Sequence, residues 1–279
     1  MPEKNVDQYG ISVVCPTYNC STYIQRTIES LLNQTELPNE VIFSDDGSDD
    51  DTVNIIEKNR DRFEESSIQL YVERNDHQGP GAARNNGIAI ASQLWIAFLD
   101  ADDVWKNEKI SHVRKAMHEN CSSNCFLHWE EYVKINGDRQ PLKHGLNYYD
   151  PDLSLLIQLY QKNFLSTSAV VCKKKLVQNA GGFDTTLPNA QDLELWLKMS
   201  SHMNLTVLPE ILGEYIEELG SISARPYYNR FWTEIRIALR YRKKVSLNLF
   251  LYRITKIILS KQWFYTFFNM FNSVKKHNN

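Results

Sequence analysis

Residues 98–105 read FLDADDVW, so three carboxylates in four positions follow an apolar run that has the pattern of a buried strand. Asp100, Asp102 and Asp103 repel one another at this spacing unless a cation neutralises them. An all-oxygen carboxylate set suits a hard ion such as Mg2+ or Mn2+, bound by one or two side chains and completed by phosphate oxygens. A solvated turn or a helix N-cap is the alternative for an isolated Asp-x-Asp.

A second acidic cluster, SDDGSDDDT, spans residues 44–52. Asp49 to Asp51 fit a helix start, with Ser48 or Asp49 as its cap. Asp45 and Asp46 precede the turn glycine and are expected to face a crevice at a strand end. A carboxylate there can accept from a ribose hydroxyl or a base N–H. The stretch HQGPGAARNNG (77–87) carries only part of a GxGxxG fingerprint, with Arg84 in place of the third glycine, and GxxxxGK[ST] is absent. It reads instead as a loop feeding a helix N-terminus, with Arg84 offering its charge to a phosphate or an acidic neighbour. A plain surface arginine is the alternative.

In LPNAQDLELWLKM (187–199), Leu193, Trp196 and Leu197 have core-facing helical spacing. Asp192 falls in the first turn, where it serves as a cap or as a general base. His118, Cys121, Cys125 and His128 form H-x2-C-x3-C-x2-H, which matches no common zinc template; the segment reads as a helix end running into a strand.

These residues need a scaffold. Short apolar runs at 11–15, 40–44, 68–72 and 94–99 alternate with helically spaced segments, which predicts a mostly parallel sheet with helices on both faces. Ligands bind such sheets outside the carboxyl ends of the strands, and PTYN (16–19), the 44–52 cluster and DADD all sit there. Helices are expected at 106–118, 152–160 and 189–200, and strands at 124–133, 167–172 and 205–215.

The 279 residues, 42% hydrophobic and 23% charged, exclude global disorder. The polar N-terminus has no signal-like apolar stretch, no run is long enough to span a bilayer, and five scattered cysteines suit a reducing cytoplasm. From Arg225 onward, 12 Lys and Arg face one acid, Glu234, while the other 224 residues carry 19 basic and 33 acidic side chains. That basic region, rich in Phe and Trp, suits helices lying on an anionic membrane from the inner side, or packing on the main body or on a second subunit. Nothing in the main body points to nucleic acid.

The order VVCPTYN, IFSDDGSDDDT, GPGAARNNG, FLDADD, GGFDTTL and NAQDLELWLK resembles a family 2 glycosyltransferase of the GT-A fold, from about Ile11 to Ser223. The resemblance implies an α/β GT-A architecture. It has a nucleotide-sugar-binding half (1–105), an acceptor-binding half (106–223) and a C-terminal helical region (224–279). It also implies an inverting, metal-dependent transfer of a hexosyl or N-acetylhexosaminyl group from a nucleotide sugar, a UDP-sugar first, to a glycan or lipid-linked acceptor.

On that pattern Pro16, Thr17 and Tyr18 form the first nucleotide loop, Asp46 reads the pyrimidine base, and Arg84 lies near the nucleotide and donor sugar. Asp102 is the principal ligand of Mn2+ or Mg2+. Asp100 shares the ion or holds the donor ribose and sugar, Asp103 orients the loop or starts the next helix, and Asp192 is the catalytic base. Gln191 stands where Glu is common, and Glu217 and Glu218 stand before SIS (221–223) where a histidine is frequent, which weakens any third metal contact from that region. A sugar nucleotidyltransferase and a non-enzymatic nucleotide-sugar-binding or glycan-binding protein are the rival readings.

Overall fold

The computed structural model describes residues 7–134, 137–141, 149–217 and 228–259. Glu218 and the SIS segment lie outside the described residues.

Strand β1 (Ile11–Thr17) is buried along most of its length, and successive side chains enter opposite cores. Val14 joins one apolar cluster, whereas Ile11, Val13 and Cys15 join the other. Strand β2 (Glu40–Asp45) divides the same way, with Ile42 opposed to Val41 and Phe43. Burial on both faces explains why these strands read as unbroken apolar runs rather than as alternation.

One face is covered by α1 (Ile24–Leu32), α2 (Thr52–Lys58), α3 (Arg60–Glu65) and α5 (Lys109–Glu119), which contribute Ile28, Ile56, Phe63 and Val113 to that core. The opposite face takes α4 (Pro80–Ile90), α6 (Leu155–Gln161), α7 (Lys174–Asn179) and α8 (Gln191–Met199). On that side α9 (Tyr228–Tyr241) and α10 (Leu247–Ile258) also join the core, burying Ile237, Ala238, Tyr241 and Ile257. The basic C-terminal helices therefore pack on the catalytic body.

Strand β3 (Gln69–Arg74) begins a sheet in which β2, β1 and β4 (Trp95–Phe98) follow in parallel register. Beyond β4 the pairing becomes mixed, through β8 (Val170–Lys173), β6 (Cys125–Val133), β9 (Leu205–Ile216) and β5 (Val104–Trp105), with β7 (Arg139–Pro141) on β6. The predicted second half is thus built onto the same sheet. The expected strand at 167–172 is a 3-10 turn over Thr167–Ala169 followed by β8. Helix α5 starts at Lys109 rather than 106, because the two-residue β5 first pairs with β9.

The helix after the second acidic cluster begins at Thr52, and neither Ser48 nor Asp49 caps it. The Ser48 hydroxyl donates to Asp45 Oδ1 at 2.6 Å, while Asp50 accepts the Thr52 N–H at 2.9 Å and the Ser21 N–H at 3.0 Å. Burial alone would raise the Asp50 carboxyl, but these bonds hold it at about 2.

Candidate active site

The carboxyl ends of β1, β2 and β4 open into one cavity of about 1040 Å³. Pro16, Thr17 and Tyr18 line it from β1 and the loop that follows. Asp46 lines it from beyond β2, Asp100 and Asp102 from beyond β4, Arg84 from α4, and Asp192 from α8. These eight residues, each expected at the site, therefore meet at its wall.

Asp45 is the exception among the residues expected to face the crevice. It is buried beneath it, accepting from Thr17 Oγ1 at 3.0 Å and from Ser48. Its work is to fasten the first loop to the second.

The Asp46 carboxylate accepts the backbone N–H of Gln78 at 2.8 Å and that of Gly79 at 2.9 Å, and pairs with His77 Nδ1 at 2.8 Å. His77 in turn stacks on Tyr18, with ring centroids 4.3 Å apart. His77 escaped sequence reasoning because a lone histidine in a loop has no periodic or motif signal. Its relation to Tyr18 exists only after β1 and β3 are brought side by side with β2.

Arg84 pairs with Asp100 Oδ1 at 2.5 Å, the acidic neighbour that was one of its two expected partners. Burial pulls against the guanidinium charge, but Asp100 and Asp192 outweigh it and keep Arg84 protonated. The guanidinium also lies 5.3 Å over the Phe183 ring. Phe183 belongs to GGFD, and that motif is gripped by α4. Asn85 Nδ2 donates to the Phe183 carbonyl and the Phe183 N–H donates back to Asn85 Oδ1, both at 2.9 Å. Gly182, at φ +69, allows the approach, since a Cβ there would stand 2.6 Å from Asn85 Oδ1.

Asp192 sits in the first turn of α8, and its Oδ2 accepts from Asn163 Nδ2 at 2.8 Å. The preceding Gln191 is buried and donates to the Leu187 carbonyl at 2.7 Å. A carboxylate in place of that amide could not make this bond. Gln191 also packs on Gly81 of α4, where a Cβ would come within 2.5 Å of its Oε1. Close contact between α4 and α8 thus sets Arg84 against Asp192.

The three acids of DADD part ways. Asp100 and Asp102 border the cavity, whereas Asp103 is buried and turned inward. Asp103 accepts from Ser168 Oγ at 2.5 Å and from the Ile216 N–H at 3.3 Å. Ser168 Oγ simultaneously accepts the Asp100 N–H at 3.0 Å. Asp103 therefore orients the loop and starts no helix, since β5 comes next.

Below it, Lys109 donates to the Ser168 carbonyl at 2.7 Å and lies against the Trp105 ring. Burial pushes the Asp103 carboxyl well up, with Asp102 adding to the effect. Burial also raises Glu130 to about 7 and pulls the Lys109 ammonium well down, the latter opposed by Glu130 and Asp103.

Asp100 and Asp102 offer carboxylate oxygens only, a donor set that fits a hard cation drawing its remaining ligands from phosphate and water. Among the described residues, no three His, Cys, Asp or Glu side chains gather around one point. His118 rests on Tyr9 and Cys125 is buried in β6; all five cysteines are free thiols.

The model of the family described as Glycosyl transferase family 2 matches residues 12–179. An Escherichia coli relative, UDP-Glc:alpha-D-GlcNAc-diphosphoundecaprenol beta-1,3-glucosyltransferase WfaP, is 28% identical over 220 residues, spanning 78% of this chain and 81% of its own. S. aureus TarS 1-349 in complex with UDP-GlcNAc superposes with a TM-score of 0.69 at 23% identity, over 89% of this chain and 71% of that one. Against a longer TarS chain the coverage of that chain falls to 44%. Mannosyltransferase PcManGT from Pyrobaculum calidifontis, in complex with GDP-Man and Mn2+, gives a TM-score of 0.61 at 16% identity, over 91% and 71%. The matched motifs and the α/β sheet that carries them agree: the chain belongs to glycosyl transferase family 2, and it is a glycosyltransferase of the GT-A fold.

Proposed function

We propose that the enzyme is inverting and metal-dependent, moving a sugar from a UDP-sugar to a hydroxyl of a glycan or lipid-linked glycan acceptor during surface polysaccharide synthesis. The observation that carries this reading is the meeting of Asp192, the Arg84–Asp100 pair and Asp102 at the wall of one cavity.

Asp100 and Asp102 would hold Mn2+ or Mg2+. When bound, such an ion neutralises charge on the departing diphosphate, worth several kcal/mol of transition-state stabilisation. Arg84 steadies Asp100 and adds fixed positive charge beside the leaving group. Tyr18 and His77 offer an aromatic edge to the base, while Asp46 holds the loop 77–79 against it. Asp192, oriented by Asn163, takes the proton from the acceptor hydroxyl as that oxygen attacks the anomeric carbon. Attack opposite the leaving group gives a single displacement and an inverted anomeric centre.

The names of similar proteins support the donor and acceptor classes: TarS has been crystallised with UDP-GlcNAc, and WfaP is named for a diphosphoundecaprenol-linked acceptor. PcManGT, with Mn2+ and GDP-Man, supports the metal. A panel of UDP-sugars and GDP-mannose, each with Mn2+ or Mg2+, is the test by thermal stabilisation and nucleotide release. At least one UDP-sugar should raise the melting temperature in a metal-dependent way. Stabilisation by GDP-mannose alone would refute the UDP assignment.

We also propose that the C-terminal helices rest on an anionic membrane. Leu247, Leu251 and Ile258 form an exposed stripe on α10, Trp232 is 65% exposed on α9, and Arg242, Lys243 and Lys244 are exposed in the turn between the helices. Basic and apolar groups arranged together suit the headgroup boundary. No helix among the described residues is long and apolar enough to cross a membrane.

A further inference from the structure

The cavity is divided by charge. Among the described residues, the strand ends, α4 and α8 line one part with Asp46, Asp100, Asp102 and Asp192 and with the cation Arg84. Among the described residues, α9, α10 and the end of α6 line the cavity with Arg230, Arg253, Lys256 and Lys162 and with the acid Glu234. At about 1040 Å³ the cavity lies at the upper end of the roughly 300–1,000 Å³ usual for small-molecule sites.

The basic side is built rather than incidental. Arg253 is buried, donates to the Tyr160 carbonyl, lies over the Tyr160 ring and stands 3.9 Å from Glu234, which ties α9 to α10 and both to α6. Arg240 adds a second tie, pairing with Asp184 at 2.8 Å and with the fully buried Glu194 at 2.5 Å. Fixed in this way, α10 presents Lys256 to the Gln161 carbonyl at 3.2 Å, and α9 presents Arg230 to the cavity. Gln161 lies two residues before Asn163, the residue that touches Asp192. Two peptide units span at most about 7.6 Å between Cα atoms. The segment 161–163 therefore touches Lys256 at one end and Asp192 at the other, and both side chains line the same cavity.

We propose that Arg230 and Lys256, with Lys162 beside them, form a subsite for a phosphate or diphosphate joined to the anomeric carbon of the acceptor sugar. This rests on the glycosyl-transfer reading above and adds to it that the acceptor enters as an anion. The acidic side would receive the nucleotide diphosphate with its cation, and the basic side would receive the acceptor's phosphate directly. Two diphosphates are then separated by the sugar being extended, with Asp192 between them. Arginine and lysine make charge-assisted bonds to phosphate that a neutral glycoside cannot replace.

The probe is a short-chain alkyl diphosphate of N-acetylglucosamine, compared with the matching alkyl glycoside, titrated into the full chain saturated with UDP and excess Mg2+. The diphosphate should bind at least about tenfold more tightly than the glycoside, and the double variant Arg230→Ala, Lys256→Ala should lose that preference while keeping wild-type UDP affinity. Equal binding of the two probes, no binding of the diphosphate, or an unchanged preference in the double variant would overturn the proposal.

Failure of UDP itself to bind would instead count against the donor reading. Flotation with phosphatidylglycerol vesicles separates the two sources of phosphate. A double variant that still floats but loses the probe supports an acceptor subsite, and one that keeps the probe but no longer floats assigns these cations to lipid headgroups and refutes it. Conservative replacement, Arg230→Lys with Lys256→Arg, should restore much of the preference, which a merely structural loss would not allow.

Discussion

The Ser168 hydroxyl donates to the Asp103 carboxylate at 2.5 Å while it accepts the Asp100 backbone N–H at 3.0 Å. One small side chain from the turn before β8 thus fixes both ends of the acidic loop. Ser168→Ala should leave a buried N–H unpaired and a buried carboxylate short of one partner. Each such loss costs about 1–3 kcal/mol. Urea denaturation should show a reduced midpoint with an unchanged slope, and transfer should slow because Asp100 and Asp102 are held less firmly.

Asp192→Asn keeps the shape of the first turn of α8 and removes the proposed proton acceptor. Transfer should fall by roughly 10²- to 10⁴-fold, with UDP affinity nearly unchanged. Near-normal turnover in this variant would remove Asp192 from its role. Asn163→Ala should produce a smaller loss in kcat of the same kind, since it frees the Asp192 carboxylate from its 2.8 Å bond.

Glu130 gives the fold a pH dependence. Burial raises its carboxyl from 4.5 to about 7 in the folded chain, with Lys109 opposing the rise. The folded state then holds more protons than the unfolded state between these values, so this contribution to stability is complete below about pH 4.5 and is lost as pH rises toward 7. Melting temperature measured across that window should decline less in Glu130→Gln than in the wild type. Parallel curves would contradict the assignment.

Gly81→Ala places a Cβ 2.5 Å from Gln191 Oε1 and 2.7 Å from its Cδ. The Gln191 amide cannot swing aside without giving up its bond to Leu187. Overpacking of this kind costs about 1–3 kcal/mol. Because α4 carries Arg84 and α8 carries Asp192, kcat should fall as well. Thermal denaturation and steady-state assays read the two effects separately.

Membrane seating through α9 and α10 should appear as co-flotation with anionic vesicles at low salt, weakened by raised ionic strength. Leu251→Asp with Trp232→Asp should abolish it while leaving soluble turnover in place. A wild-type chain that stays wholly in solution would refute the membrane proposal, and a dimer found there would favour the second-subunit alternative for these helices.

Much of the strand-end wall of the cavity was legible because it is local. The strand-helix alternation placed PTYN, Asp46 and DADD at three strand ends, and the sheet order brings those ends together. Asp45 misled because a carboxylate at a strand end can face the crevice or fasten the loop beneath it, and only the positions of Thr17 and Ser48 decide.

His77, Asn163, Ser168 and the Lys109–Glu130 pair were invisible for a related reason. Each gains its meaning from a partner on another strand or helix, and none has spacing that differs from an ordinary loop or core polar residue. The basic wall was seen as composition but not as part of the cavity, since charge counting cannot tell which face of a helix packs inward.

The bracket between Asn85 and Phe183 joins residues 98 positions apart. A ribosome delivers the chain N-terminus first at about 5–20 residues per second, so roughly 5–20 s pass between the emergence of the two. During that interval α4 has left the exit tunnel, but Arg84 lacks the aromatic floor over which it later lies. Arg84 can meet Asp100 after only 16 further residues, whereas the ring beneath it and the bracket that holds that ring wait for GGFD.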